Sequence, residues 1–363
     1  MPQTNTHSKR VGKVELMRFL FCLLILLYHT GKDNKARGWM FASTISFFNK
    51  GFIGVDFFFL VTGFVTAAAI FKKLAVSERT ALPSTGQQTW EFMWKKIAAI
   101  LPFHIIIIIM TIIFRVGVLH RSLPAVIIKG LPSFFFVQMN GYSSSSFIGV
   151  EWYISSMLLA LIIIYPLCLN FYDVFTHIIA PFTGLILSGF MILSKGTFGA
   201  DGELNGLLTN GLVRAFAHIC LGIFIFELVR MLREKEPGRG LRAALTVIEP
   251  LSYLTVLYMS MATGYTRAWM GSMLLFMMIG VTISFSGFTY GQRLFDNRLC
   301  YFLGKASLPV YLAQNLVRSI ASRYVSDMKA PAVLAFTVGG TVLLGFILQI
   351  AVNRWQAGRA AAK

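Results

Sequence analysis

Charge is what this sequence has least of. Asp, Glu, Lys and Arg make up 13% of its 363 residues, against roughly 25% in a soluble domain. A water-soluble globular chain is thereby excluded. Acidic residues are the scarcer sign, 15 against 33 Lys and Arg, which leaves a net charge of +18. The basic residues sit in short clusters between apolar runs, without interleaved aromatics. That pattern points to the bilayer surface as the anionic partner and argues against nucleic acid. The four cysteines, Cys22, Cys168, Cys220 and Cys300, are far apart. No Cys-x-x-Cys or Cys/His ligand spacing exists, so neither a metal motif nor a redox pair is expected. Walker, Gly-x-Gly-x-x-Gly and His-Glu-x-x-His motifs are missing, as are heptads and Asn-x-Ser/Thr acceptors. No internal repeat is evident, which weighs against an inverted-repeat transporter.

Long apolar runs are what the chain has instead. Hydrophobic residues reach 56% and mean hydropathy is +0.68. Runs near the roughly 20 residues that cross a bilayer fall at 16–30, 52–71, 97–118, 152–170, 178–194, 211–229, 245–263, 269–287, 301–322 and 332–353. They predict an all-α, polytopic transmembrane bundle of about ten spans in one domain, 1–363. The run 123–137 is short and broken by Pro124, Lys129, Gly130 and Pro132, so it is expected to be re-entrant or interfacial. With the N-terminus inside, the inside segments become 72–96, 171–177, 230–244, 288–300 and the C-terminal tail, all basic but for 171–177. Outside segment 195–210 carries Asp201 and Glu203, as the positive-inside rule prefers. A full span at 123–137 would push the cluster from Arg230 to Arg242 outside. The tails 1–14 and 354–363 are therefore expected in the cytoplasm. Lys9, Arg10 and Lys13 before an apolar core resemble a signal peptide. No small-x-small cleavage site follows closely, and a retained first span is expected. Two outside segments, 31–50 and 115–130, stay more basic than the rule favours.

Titratable groups inside spans are costly and mark candidate sites. Arg18 and His29 lie eleven residues apart on the first span. At about 100° and 1.5 Å per residue they share a face, roughly 16 Å apart. Glu15, three residues from Arg18, offers it a local partner. Asp56, within GFIGVDFFFLVTGF, is expected near the depth of His29. It would orient that imidazole, or cap its own helix, or pair with Lys50. Lys95 and Lys96 end an inside loop, either as ordinary anchors or as a seat for phosphates. Glu151 and Trp152 open the fourth span. Arg214 and His218 form an i, i+4 pair facing one side, either lining a cavity or packed at the interface.

Taken in order, these segments resemble the acyltransferase-3 family of bacterial integral-membrane acyltransferases. The resemblance rests on Arg18 with His29, GVDFFFLVTGF, a basic pair followed by Pro102, Trp152 through Tyr165-Pro166, and FLGKASLPVYLAQN. It covers the whole chain. Four positions depart from the family pattern: Thr62 for Ser, Ala99 for Arg, Met157 for Glu and Gln314 for His. The resemblance implies a multi-pass protein of the bacterial inner membrane. Its activity would be O-acylation, commonly with acetyl-CoA as the cytoplasmic donor and no metal, onto an extracytoplasmic glycan or glycolipid. It places the essential histidine at His29 and the first-span arginine at Arg18. On this reading His29 and Asp56 are catalytic, and Arg18, Lys95 and Lys96 bind the acyl-CoA. Glu151, Trp152, Arg214 and His218 are then the candidates for contacting the acceptor. The alternative from the residues alone is a transporter or flippase of a small polar or lipid-linked substrate, with His29, Asp56 and Arg214 as a relay.

Overall fold

The computed structural model describes residues 10–35, 48–77, 83–139, 147–199, 208–261 and 267–361. Every regular element in them is helical: α1 (Gly12–Lys35), α2 (Gly54–Ser77), α3 (Thr85–Ile113), α4 (Leu123–Phe134), α5 (Trp152–Asn170), α6 (Tyr172–Val174) and α7 (Ala180–Lys195). There follow α8 (Asn210–Arg233), α9 (Arg239–Met261), α10 (Arg267–Ser286), α11 (Gln292–Phe295), α12 (Arg298–Tyr324) and α13 (Ala330–Ala361). Short polar side chains start several of them by accepting an otherwise unpaired backbone N–H. Ser84 Oγ accepts from Gln87 N, Thr209 Oγ1 from Leu212 N and Asn297 Oδ1 from Cys300 N. Gly196, in the left-handed region at φ 70°, ends α7.

Nine helices among the described residues are long and apolar enough to cross a membrane, where ten spans were expected. The tenth segment, 301–322, does form a helix. At 27 residues α12 is about 40 Å long, but it carries Lys305, Gln314, Asn315, Arg318 and Arg323. It packs chiefly between α1 and α13, and a helix enclosed by protein needs no all-apolar surface. Three boundaries also change. The expected loop 171–177 is helical apart from a break at Phe171, because α6 runs through a π-turn at Phe175–Ile179 into α7. The expected loop 72–96 is mostly α2 and α3. The expected tails are partly helix, since α1 starts at Gly12 and α13 runs to Ala361. Residues 123–134 form the 12-residue α4, too short to cross.

The axis of the bundle is the parallel pair α2 and α8, the two most enclosed of the nine; α7, α9 and α13 are the least. Gly63 and Gly222 make their approach possible. A methyl group on Gly63 would run into the Ile219 carbonyl, and one on Gly222 into the Leu60 carbonyl. One apolar core lies between this pair and α3, α5 and α12; a second lies between it and α9 and α10.

Contacts gather all the expected inside segments at one end. Lys73 reaches Tyr165, Tyr172 reaches Glu227, and Arg233 reaches the carbonyls of Phe285 and Ser286. Lys13 reaches Glu249 and Thr289, and Gly12 N donates to Asp296 beside the start of α12. Helix α13 runs back along α12, with Gly340 against Val317 and Gly345 against Val310. The first and last helices thus begin and end on the same side. We call this the Lys13 end.

Candidate active site

An elongated cavity of about 270 Å³ runs between α1, α2, α3, α5 and α12. Helical spacing builds it. Val55, Phe58, Thr62 and Val65 recur every three or four residues on one face of α2, as do Lys96, Ala99 and Ile100 on α3. Tyr153, Ile154 and Met157 line it from α5, Ser307, Leu308 and Tyr311 from α12, and Arg18 from α1. From Val65 to Val55 the α2 wall is about 15 Å long.

The two cations on its wall are under-satisfied. Arg18 Nη1 donates to Glu15 Oε2 at 3.3 Å, while its buried Nε has no hydrogen-bond partner. Glu15 itself is wedged against Gly304, where any side chain would collide with it. The Lys96 ammonium lies 4.8 Å from the Phe92 ring centroid, with no carboxylate at ion-pair distance among the described residues. Farther along, the wall offers hydroxyls. Thr62 Oγ1 points at Met157 Sδ (3.7 Å), and Tyr311 Oη donates to the Val150 carbonyl at 2.6 Å. The cavity suits a ligand with an anionic head and an uncharged arm. No group of His, Cys, Asp or Glu among the described residues is placed to hold a metal ion.

Arg18 and Lys96 are thus brought together. Lys95 is exposed and does not line the cavity. His29 is half-buried on the Arg18 face of α1, its ring 5.0 Å from that of Tyr28. Cys22 Sγ donates to the Ser307 carbonyl, and α1 and α12 run parallel. Seven residues farther along each, His29 lies level with the turn from Tyr311 to Gln314, and it does not line the cavity.

The expected pairing of Asp56 with His29 is replaced by another. Arg214 donates from Nε and Nη2 to the two Asp56 oxygens at 2.6 and 2.7 Å, and His218 Nδ1 donates to Oδ1 at 2.6 Å. Arg214 Nη2 also reaches the Phe52 carbonyl, and the Trp152 ring centroid lies 5.6 Å from the guanidinium. Register explains the difference. Gly54 packs on Phe21 and Ile25, and Phe57 stacks on Phe21. Asp56 therefore lies about two turns, roughly 10 Å, nearer the Lys13 end than His29. It faces α8 instead of α1. All three side chains of this cluster are sealed from solvent, and His218 Nε2 has no hydrogen-bond partner.

Glu151 belongs to a separate buried group. Its Oε1 accepts from Ile148 N at 3.0 Å, and its Oε2 lies 3.7 Å from His104 Nδ1. The other His104 nitrogen bonds the Ser133 carbonyl of α4. Sequence reasoning passed over His104, because a histidine beyond Pro102 in an isoleucine run gives no sign of its partner 47 residues away. It also passed over Tyr153, and singled out Ser307 and Tyr311 only as part of the segment FLGKASLPVYLAQN. Their i, i+4 spacing was the available signal for the latter two.

The acyltransferase-3 family, described as an acyltransferase domain, matches residues 11–350 of the chain. No curated protein and no solved structure matches it. The matched region includes every residue of the cavity, the buried ion cluster and His29.

Proposed function

The chain belongs to the acyltransferase-3 family, and from that premise we propose that it is an O-acyltransferase of the bacterial inner membrane. It moves an acyl group, acetyl in the simplest case, from cytoplasmic acyl-CoA to a hydroxyl of an extracytoplasmic glycan or glycolipid. The observation that carries this reading is the cavity, with two under-satisfied cations at one part of its wall and an uncharged passage leading away from them; His29 lies farther along α1 on the Arg18 face. The Lys13 end faces the cytoplasm, as the loop charges prefer. Phosphates of CoA meet Arg18 and Lys96, where charge-assisted hydrogen bonds replace the missing protein partners. The thioester extends along the α2 wall toward Tyr311.

At that end His29 acts as general base. It takes the proton of the acceptor hydroxyl while the oxygen attacks the thioester carbonyl. A C–O bond forms, the C–S bond breaks, and the departing thiolate takes up the proton that His29 carries. Asp56 contributes at a distance, by fixing α2 against α8 through Arg214 and His218. Trp152 rests on that cluster, and Glu151 shapes the turn leading into it.

Purified protein tests the proposal. Acetyl-CoA should raise its thermal midpoint, because a ligand bound only to the folded state must stabilise it. His29→Ala should keep that shift and lose transfer of the acetyl group to membrane-associated glycan. Wild-type turnover in that variant would sink the assignment of His29. An absent shift at saturating acetyl-CoA would sink the donor.

A further inference from the structure

Four hydroxyls line the cavity, on Thr62, Tyr153, Ser307 and Tyr311. Where their protons go divides them. Ser307 Oγ donates to the Gly304 carbonyl of its own helix at 2.7 Å, and Tyr311 Oη donates to the Val150 carbonyl at 2.6 Å. Both of those protons meet strong acceptors of the protein itself. The other two do not. Thr62 Oγ1 faces Met157 Sδ at 3.7 Å, and a thioether is a weak acceptor. The Tyr153 hydroxyl meets Thr62. Two protons are thus shared among two hydroxyl oxygens and one sulfur. Among the described residues, neither proton reaches a carbonyl or a carboxylate.

Packing fixes this pair in place. The Tyr153 ring centroid lies 4.7 Å from that of Phe59, 5.8 Å from that of Tyr311 and 6.0 Å from that of Phe58. Thr62 sits on the cavity face of α2, about 4.5 Å along the axis from Val65 and about 10 Å from Val55. The two hydroxyls therefore bridge α2 and α5 part-way along the cavity. Val65 and Ala99 are exposed on one side of them, whereas Val55, Ile154 and Tyr311 are buried on the other. A ligand whose head rests on Arg18 and Lys96 must pass the pair before it reaches the closed end.

We propose that Thr62 and Tyr153 form a carbonyl-binding clamp for the arm of the donor, and that the group they hold is an amide of that arm. The inference rests on the acyl-CoA reading above for the identity of the donor. Coenzyme A carries amides between its phosphates and its sulfur, and an amide oxygen accepts a hydrogen bond more strongly than a thioester oxygen does. A proton that otherwise meets only a thioether gains a full acceptor when the arm is bound. The clamp sets how far the arm advances, and so positions the thioester without touching it.

The test compares acetyl-CoA with 3′-phospho-ADP, which has the phosphates and lacks the arm, by thermal stabilisation of the full chain in nanodiscs. Tyr153→Phe and Thr62→Val each remove one hydroxyl and keep the bulk of the side chain. Each should weaken acetyl-CoA roughly fivefold and leave 3′-phospho-ADP unchanged, which also shows that the variant is folded. S-ethyl-CoA, a thioether without the acyl carbonyl, should lose as much affinity for Tyr153→Phe as acetyl-CoA does. Thr62→Ser keeps the hydroxyl and should bind acetyl-CoA as the wild type does. Unchanged acetyl-CoA binding in Tyr153→Phe and Thr62→Val overturns the clamp while the acyl-CoA reading stands. An equal loss of 3′-phospho-ADP makes the pair structural and overturns it too. So does a loss confined to acetyl-CoA with S-ethyl-CoA untouched, which would move the contact to the thioester carbonyl. Should neither acetyl-CoA nor 3′-phospho-ADP stabilise the wild-type protein, the acyl-CoA reading fails and the clamp falls with it.

Discussion

Arg214 and Arg18 are the same residue put to opposite uses. The Arg214 side chain is 1% exposed, holds both Asp56 oxygens and a backbone carbonyl, and is boxed in by Trp152 and Phe52. The Arg18 side chain is 32% exposed, makes one long bond to Glu15, and leaves its Nε without a partner beside a cavity. A charge inside a membrane protein is held either by the protein or by something the protein binds. Saturation separates the two cases better than position does. The sealed cluster joins helices; the open cavity leaves bonding capacity for a ligand.

The largest effect belongs to the sealed cluster. Asp56→Ala leaves a buried guanidinium without its counter-ion and should cost about 3–5 kcal/mol, read as a fall in the thermal midpoint of the purified protein. Replacing Asp56 and Arg214 together by leucine and methionine should recover much of that stability. A stable but inactive Asp56→Ala protein would move the cluster from structure to catalysis. Next comes the α2–α8 contact beneath it. Gly63→Ala or Gly222→Ala forces the two backbones apart and should cost about 1–3 kcal/mol, with acyl transfer falling in parallel. Full activity in either variant would show that the depth match of Asp56 and Arg214 does not depend on this crossing.

How much of this was legible beforehand follows from the range of the interactions. Spans were readable because apolar length is a local property. The helical continuity of 171–177 was missed because its polar residues suggested a loop; Tyr172 and Thr176 in fact bond Glu227 and the Tyr172 carbonyl. The enclosure of α12 was not readable either, since burial by neighbours leaves no periodic trace. Asp56, Arg214 and His218 were each singled out, but their pairing spans 158 and 162 residues and needs the α2–α8 register to appear. The family-like positions Arg18, Thr62, Lys96, Ala99, Met157, Ser307 and Tyr311 were scattered in sequence and meet in one cavity. The resemblance had joined them in order, and packing joins them in space.

The smallest predicted effect is the sharpest test of the open region. Lys96→Gln should leave unfolding within about 0.5 kcal/mol of wild type, because no carboxylate among the described residues lies at ion-pair distance from Lys96. It should nevertheless reduce the stabilisation conferred by a fixed excess of acetyl-CoA; a tenfold weaker site lowers that stabilisation by about 1.4 kcal/mol. Lys95→Gln removes the same charge one residue earlier. One residue is about 100° around the helix, and it turns Lys95 away from the cavity that Lys96 lines. Its effect on acetyl-CoA affinity should be under about threefold and vanish as salt screens it. The pair of variants, measured side by side at low and high salt, separates a positioned cation from general positive charge at a helix end. Equal losses for Lys95→Gln and Lys96→Gln would mean that the basic pair acts as a surface field, and that the cavity wall contributes nothing particular to the donor.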